Sequence, residues 1–310
     1  MPICRAQCRT ARTGALAILL CAVATPLSAQ SSLEEAIRQF GTTNIKGYMQ
    51  PLADALTASL SSGYFANAAP SMKGGFSLEL VGATTMISTS MKTFTTLTPT
   101  GFQPSSYKTP TVFGGTAPVQ NHASLSGIAY RTSDGILDAS IFPVAIPQIR
   151  VSGVLGTELV VRYFSSSFMS SLYPDEDLPT LSMYGIGIRH GLNQYFKDLP
   201  VDIALSGSYS VLTFGDLADA TGLTFGANIG KDLGALSVMG GVESSGGTMN
   251  LQYTSTDPQA TTPAVNVDVT AKRQVRFVAG ATLNAKLFKL FGTAGIGSFT
   301  SYSAGLRFGR

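Results

Sequence analysis

Between Lys272 and Arg310 apolar and polar residues alternate one by one. Val275, Phe277, Ala279, Ala281 and Leu283 take every second position, with Gln274, Arg276, Gly280, Thr282 and Asn284 between them. At the chain end Tyr302, Ala304, Leu306 and Phe308 alternate with Ser301, Ser303, Gly305 and Arg307. Successive side chains of a strand point to opposite faces, so each segment has one greasy wall and one polar wall. In a soluble sandwich the greasy wall is core; in a transmembrane barrel it meets lipid and the polar wall lines the lumen.

The same period recurs along the chain. It predicts strands at Phe76–Val81, Ile136–Arg150, Thr157–Phe164, Ser182–His190, Val201–Val211, Leu223–Ile229 and Leu236–Val242, the last with a polar extension to Tyr253. Val265–Leu283, Lys286–Ile296 and Phe299–Phe308 complete the set. The expected fold is all-β, an antiparallel transmembrane barrel of about ten strands, or twelve, an even number as single-chain bacterial barrels require. Short links at Ser152–Gly156, Lys231–Gly234 and Asn284–Lys286 belong on the periplasmic side, and longer polar ones alternate with them. Both termini are then expected in the periplasm. Residues 83–135, rich in Thr, Ser, Pro and Gly, read as one large extracellular loop or lid.

The stretch before the first strand has a different period. Ser32-Leu33-Glu34-Glu35 is a capping box, and Ala36, Ile37 and Phe40 follow at helical spacing. A second helix is expected from Asn44 through Tyr48, Met49, Leu52, Leu56 and Leu60, kinked at Pro51. Residues 30–69 thus form a plug in the barrel, entering from the periplasmic side, or a periplasmic cap.

Residues 1–29 have the form of a secretory signal: Arg5, Arg9 and Arg12, then an apolar run from Ala15 to Ala24, then Leu27-Ser28-Ala29. All three cysteines (Cys4, Cys8, Cys21) lie within it. Without its three arginines, 18 basic residues face 18 acidic ones, so nothing in the charge balance points to nucleic acid. Charged residues make up 13% of the chain, against roughly 25% in an ordinary soluble domain. Together these place residues 70–310 as a barrel in the outer membrane of a Gram-negative cell. A secreted β-sandwich is the alternative.

The assigned faces send Glu79, Glu158, Arg162, Arg189, Asp202, Glu243, Arg276 and Arg307 into the lumen, four acids against four bases. Balanced charges in a narrow lumen pair, either as simple filling or as a polar, gated interior. Pro143 and Pro147, four residues apart, share one side of their strand and delete two ladder donors toward one neighbour, which weakens one seam of the wall unless they lie beyond the membrane rim. No catalytic motif is present, and His122-Ala123-Ser124 is a weak base–nucleophile candidate. Tyr173-Pro174-Asp175-Glu176-Asp177 lacks the ligand spacing of a dedicated calcium loop. No enzyme activity, metal or cofactor is expected.

The segments Ile146-Pro147-Gln148, Gly156-Thr157-Glu158-Leu159 to Tyr163, Gly185-Ile186-Gly187-Ile188-Arg189-His190 to Tyr195, and Pro200-Val201-Asp202 resemble a family of uncharacterised predicted outer-membrane proteins. Tyr48-Met49-Gln50-Pro51-Leu52, Gly63-Tyr64-Phe65 and Thr111-Val112-Phe113-Gly114 fit the same resemblance. More distantly it is similar to the outer-membrane transporters of long-chain fatty acids and aromatic hydrocarbons. That resemblance implies a plugged barrel with a side opening, and passive passage of small hydrophobic molecules is expected of it; outer-membrane lipid and the barrel-assembly machinery are the partners expected of an outer-membrane barrel. A non-conducting barrel working through its surface loop is the alternative.

Overall fold

A computed structural model describes residues 44–67, 70–71, 74–166, 180–196, 199–254, 264–285 and 287–309. The signal segment, the Ser32–Glu35 capping box and the Tyr173–Asp177 loop lie outside those residues. Helix α1 covers residues 44–60 and runs through Pro51 without interruption. Strand β1 (Gly75–Met86) follows; β2 (Thr93–Leu97), β3 (Phe102–Gln103), β4 (Ser106–Pro110), β5 (Val119–His122) and β6 (Ala129–Arg131) are short. Long strands resume with β7 (Ile141–Val154), β8 (Thr157–Ser165), β9 (Leu181–Gly191), β10 (Asp202–Phe214), β11 (Ala218–Asp232) and β12 (Leu236–Gly246). The chain closes with β13 (Thr248–Thr254), β14 (Ala264–Thr270), β15 (Gln274–Asn284), β16 (Phe288–Ile296) and β17 (Ser301–Gly309).

Ten of these strands form a closed antiparallel ring in the order β1, β7, β8, β9, β10, β11, β12, β15, β16, β17. The ring closes where β17 pairs β1, from Ser77 opposite Gly309 to Thr85 opposite Ser301. Closure leaves no edge, the condition for a sheet to stand in hydrocarbon. The two-residue alternation sets the faces. Leu78, Ile188, Phe225 and Phe277 point out and are at least half exposed, whereas Glu79, Arg189, Thr224 and Arg276 point in and are buried. An apolar outer wall and a polar interior are the reverse of a soluble core.

Several expected boundaries shift: Ile136–Arg150 becomes Ile141–Val154, and Leu223–Ile229 lengthens to Ala218–Asp232. Val265–Leu283 is two strands: β14 pairs only with β13, as a hairpin standing beyond the ring, and residues 271–273 separate it from β15. The polar extension after Val242 likewise divides at Gly247, where an added Cβ would come within 1.9 Å of the Thr221 carbonyl. The loop expected at 83–135 runs instead from residue 87 to 140 and carries two small sheets, β2 with β4 and β3 with β5 and β6.

The turns 155–156 and 233–235 lie at one end of the barrel, with Gly191, Asp202, Asn284, Phe288, Gly75 and Gly309. The tightest is Leu155-Gly156, both at positive φ (50° and 66°), as the twist of a two-residue hairpin demands. The loop of residues 87–140 and the β13–β14 hairpin lie at the other end. There α1 begins: the Val112 N–H donates to Tyr48 O (3.2 Å) and Gln50 Nε2 to Thr270 O (2.9 Å). Ile45, Tyr48, Met49 and Leu56 pack with Val112, Phe113, Met249 and Leu251, so the largest apolar core lies under the long loops. From there the chain descends through the lumen. Arg162 Nη1 donates to Leu60 O, Thr282 Oγ1 to Ala66 O, and Pro70 lies beside Gly191 at the short-turn end. The segment therefore fills the barrel from the long-loop side, and α1 does not close it from the short-turn side as expected. Residue 44 lies at the opposite end from Gly309, so the described chain does not start and finish on one side.

Candidate functional site

The last turn of a helix leaves carbonyls without partners and carries partial negative charge. In α1 these carbonyls meet guanidinium groups from the wall. Arg276 Nη1 donates to Ala58 O (3.3 Å) and Nη2 to Ser61 O (3.1 Å). Arg162 donates to Leu60 O (2.9 Å), Ser62 O (2.8 Å) and Gln148 Oε1 (2.8 Å) while stacking 3.4 Å from the centre of the Tyr64 ring. Lower down, Arg150 Nη2 donates to Tyr64 O (2.7 Å), and Arg189 Nη1 donates to Asn67 O. Gly185 and Gly187 make room for Tyr64; a Cβ on Gly187 would come within 2.6 Å of its ring. Four arginines thus clamp residues 58–67.

Carboxylates hold the arginines in turn. Arg150 grips Glu79 through Nε (2.6 Å) and Nη2 (3.1 Å), a two-pronged pairing, and also reaches Glu158. Glu158 takes a second bond from Arg189 Nη2 (2.8 Å), and Glu243 pairs with Arg276 (2.7 Å). Arg307 Nε lies 2.5 Å from Glu79 Oε1. Deleting one partner from such a buried net costs about 3–5 kcal/mol, while the intact net adds little over an apolar filling. It fixes the position of the plug more than it adds stability.

All eight lumen candidates occupy inward positions. Seven of them are buried, and Asp202 is half-buried at the short-turn rim. The expected balance of four acids and four bases does not hold, because Arg150 is buried in the lumen and Lys289 is half-buried on the same face. Arg150 follows Ile146 and Gln148 at every second position, a period that Pro143 and Pro147 obscure. At the long-loop end the Asp54 carboxyl, accepting from the Lys272 N–H (2.8 Å), is raised above its ordinary range by burial. His122 Nδ1 accepts the Ser124 and Leu125 N–H groups, a turn contact that occupies the nitrogen a base would need. His190 bonds Thr157, Gln194 and Tyr195 near the short-turn end.

Pro143 and Pro147 lie inside β7 and point outward. The β1–β7 ladder passes both without a break, from Gly75 opposite Ser152 to Met86 opposite Ile141. On the other side the β7–β8 ladder ends at Gln148 opposite Arg162, although β8 continues to pair with β9 as far as Ser165. The missing proline donors therefore fall on the β8 side. Among the described residues, no ladder joins 141–147 to 163–165. Behind this seam lies an apolar cluster of Ile146, Met183 and Leu60, with Val144, Phe164 and Leu212 against it.

A closed ten-stranded antiparallel barrel with an apolar outer wall and a plug formed by its own chain defines a membrane-type barrel. The chain belongs to a family of unknown function, DUF6588, whose model matches residues 10–310. A search of the curated proteins gives no match. Among solved structures it is similar to a bacterial polysaccharide outer membrane secretin (8% identity, 75% of this chain and 97% of the other, TM-score 0.28). It is also similar to the translocator domain of the autotransporter NalP from Neisseria meningitidis (9%, 88% and 98%, TM-score 0.27). A Rh. blastica porin variant gives 11% identity over 76% of this chain and all of the other, with a TM-score of 0.13. With scores this low, the barrel assignment stands on the closed ladder itself.

Proposed function

We propose that the protein is an outer-membrane barrel, short turns toward the periplasm, that is closed end to end by residues 44–67 and passes small hydrophobic molecules sideways through the wall. The single observation that carries this reading is the β7–β8 seam: a ladder that stops at Gln148 and Arg162 in front of an apolar cluster. Unpaired backbone in hydrocarbon costs several kcal/mol per group, so such a gap is paired, covered or used. An apolar solute reaching Val144, Ile146 and Phe164 from the long-loop side has a route into the bilayer that avoids the charged lumen. No chemistry on the solute is part of this reading; lipid and the barrel-assembly machinery are the partners it requires.

The test is uptake of a hydrophobic fluorophore by proteoliposomes. Replacing both prolines by valine restores two donors and lets the ladder extend, and the expected result is a fall in uptake with no change in ion conductance. Equal uptake by the variant and the parent protein would sink the seam.

A second reading, a non-conducting surface-interaction barrel, is favoured by the long loop of residues 87–140, whose Met91, Phe94, Val112 and Phe113 pack around the start of α1. It predicts no uptake from either protein.

A further inference from the structure

The cations and carboxylates of the lower lumen do not match. Toward the short-turn end Arg150, Arg162, Arg189 and Arg307 are buried and Lys289 is half-buried, against two buried carboxylates, Glu79 and Glu158, and the half-buried Asp202 at the rim. Carbonyls of the plug serve Arg162 and relieve part of the excess for Arg150 and Arg189. They do not relieve it at the seam of β16 and β17. There Lys289 and Arg307 stand directly opposite each other, both on the lumen face. Like charges so placed repel, and their Cβ atoms are only about 4.5–5.5 Å apart.

Arg307 is 4% exposed, its Nη2 has no hydrogen-bond partner, and its other flank lies over the Phe291 ring (5.5 Å). Its one carboxylate contact, Glu79, is shared with Arg150. Among the described residues no carboxylate lies within ion-pair distance of Lys289; the acids nearest in its field, Asp232 and Glu158, make no ion pair with it. A buried guanidinium with a free donor, facing an ammonium across one strand pair, is the arrangement that receives an oxygen anion. The guanidinium supplies planar donors and the lysine a mobile point charge.

We propose that Arg307 and Lys289 form a binding site for a small oxyanion, a phosphate or carboxylate group, at the short-turn mouth of the lumen. Bound there, the anion bridges β16 and β17 beside the closing strand pair and neutralises a local surplus that the protein's own carboxylates leave. The site is separate from the seam, so it stands or falls independently of the transport reading.

The experiment is thermal unfolding of the whole protein in neutral-detergent micelles, with inorganic phosphate or acetate exchanged for chloride at constant ionic strength. Anything bound to the folded state alone raises the midpoint as its concentration rises. The expected result is a saturable rise in midpoint with phosphate for the parent protein, lost in Lys289→Met and reduced in Arg307→Lys. Lys289 is half-buried and among the described residues makes no hydrogen bond, so its variant is expected to fold even where Arg307 variants do not. A second arm adds an anionic phospholipid to the micelles without free phosphate. A Lys289-dependent rise confined to that arm assigns the oxyanion to a lipid headgroup. No saturable rise in either arm, or one that Lys289→Met leaves intact, overturns the proposal.

Discussion

Replacing Arg162 by methionine tests the clamp where it is most concentrated. The guanidinium donates to Leu60 O, Ser62 O and Gln148 Oε1, at 2.8–2.9 Å each, with no exposure to solvent. Methionine keeps an apolar stem against Tyr64 but strands two buried acceptors, Ser62 O and Gln148 Oε1, and leaves Leu60 O only the Ser210 hydroxyl (3.4 Å). Each stranded acceptor costs about 1–3 kcal/mol. Against that, the variant no longer buries a guanidinium, whose desolvation costs several kcal/mol. The net weakening of the plug seat is then about 1–3 kcal/mol, or roughly five- to over a hundred-fold in its release equilibrium at ~1.4 kcal/mol per factor of ten. Two readouts report release. One is single-channel conductance in planar bilayers, expected silent for the parent and flickering for the variant. The other is the rate at which a thiol reagent labels Ser61→Cys. That hydroxyl is buried without a hydrogen-bond partner, so the reporter itself removes nothing. A correctly folded Arg162→Met barrel that stays silent and labels at the parent rate would refute the clamp.

Other expectations follow from single contacts. Gly187→Leu drives a side chain into the Tyr64 ring, 2.6 Å from the position of its Cβ, and is expected to cost about 1–3 kcal/mol by overpacking; thermal melting in detergent, with Ser61→Cys labelling, reads both effects. Leu155, 80% exposed at a φ of 50°, is better served by asparagine beside Gly156, and Leu155→Asn should stabilise the hairpin by about 0.5–1 kcal/mol, measured by the same melt. The Asp134 carboxyl is lowered below its ordinary range, first by the Ala117 N–H (2.7 Å) and then by Arg131. A depressed carboxylate contributes stability above its unfolded pKa and loses it as pH falls through the folded one. The protection factors of the amides in residues 117–134, corrected for the intrinsic exchange rate at each pH, should therefore fall on acidification below the ordinary carboxylate range, and Asp134→Asn should remove that pH dependence.

Much of the wall was legible because its period is local. Alternation at Val275 to Leu283 and Tyr302 to Phe308 identifies both the strand and its lipid face without knowledge of any partner. The same parity sends Glu79, Arg162, Arg189 and Arg307 inward. Arg150 escaped because two prolines upstream mask the period, although Ile146, Gln148 and Arg150 keep it. Lys289 escaped because Leu287, Phe288, Leu290 and Phe291 crowd around it and make both faces look apolar. The direction of α1 was not legible at all. Its apolar residues say that it is covered, but which end of the barrel covers it depends on Val112, Met249 and Leu251, contacts far away in sequence. The break between β14 and β15 is hidden for a similar reason. Val265 to Leu283 alternates almost throughout, and only pairing with different neighbours divides it.

In the proposed function, solute leaves through the wall at 141–147 and not along the lumen. Residues 30–310 contain no cysteine, so Ala145→Cys with Ser165→Cys places one pair of thiols on the two lips of the seam. The measurement is uptake of an apolar probe by proteoliposomes before and after a short bismaleimide bridges that pair, with bridging verified by mass. The account predicts uptake by the unbridged protein, its loss on bridging, and no ion conductance in either state. Uptake that survives complete bridging, or ion conductance that rises and falls together with it, would contradict the account.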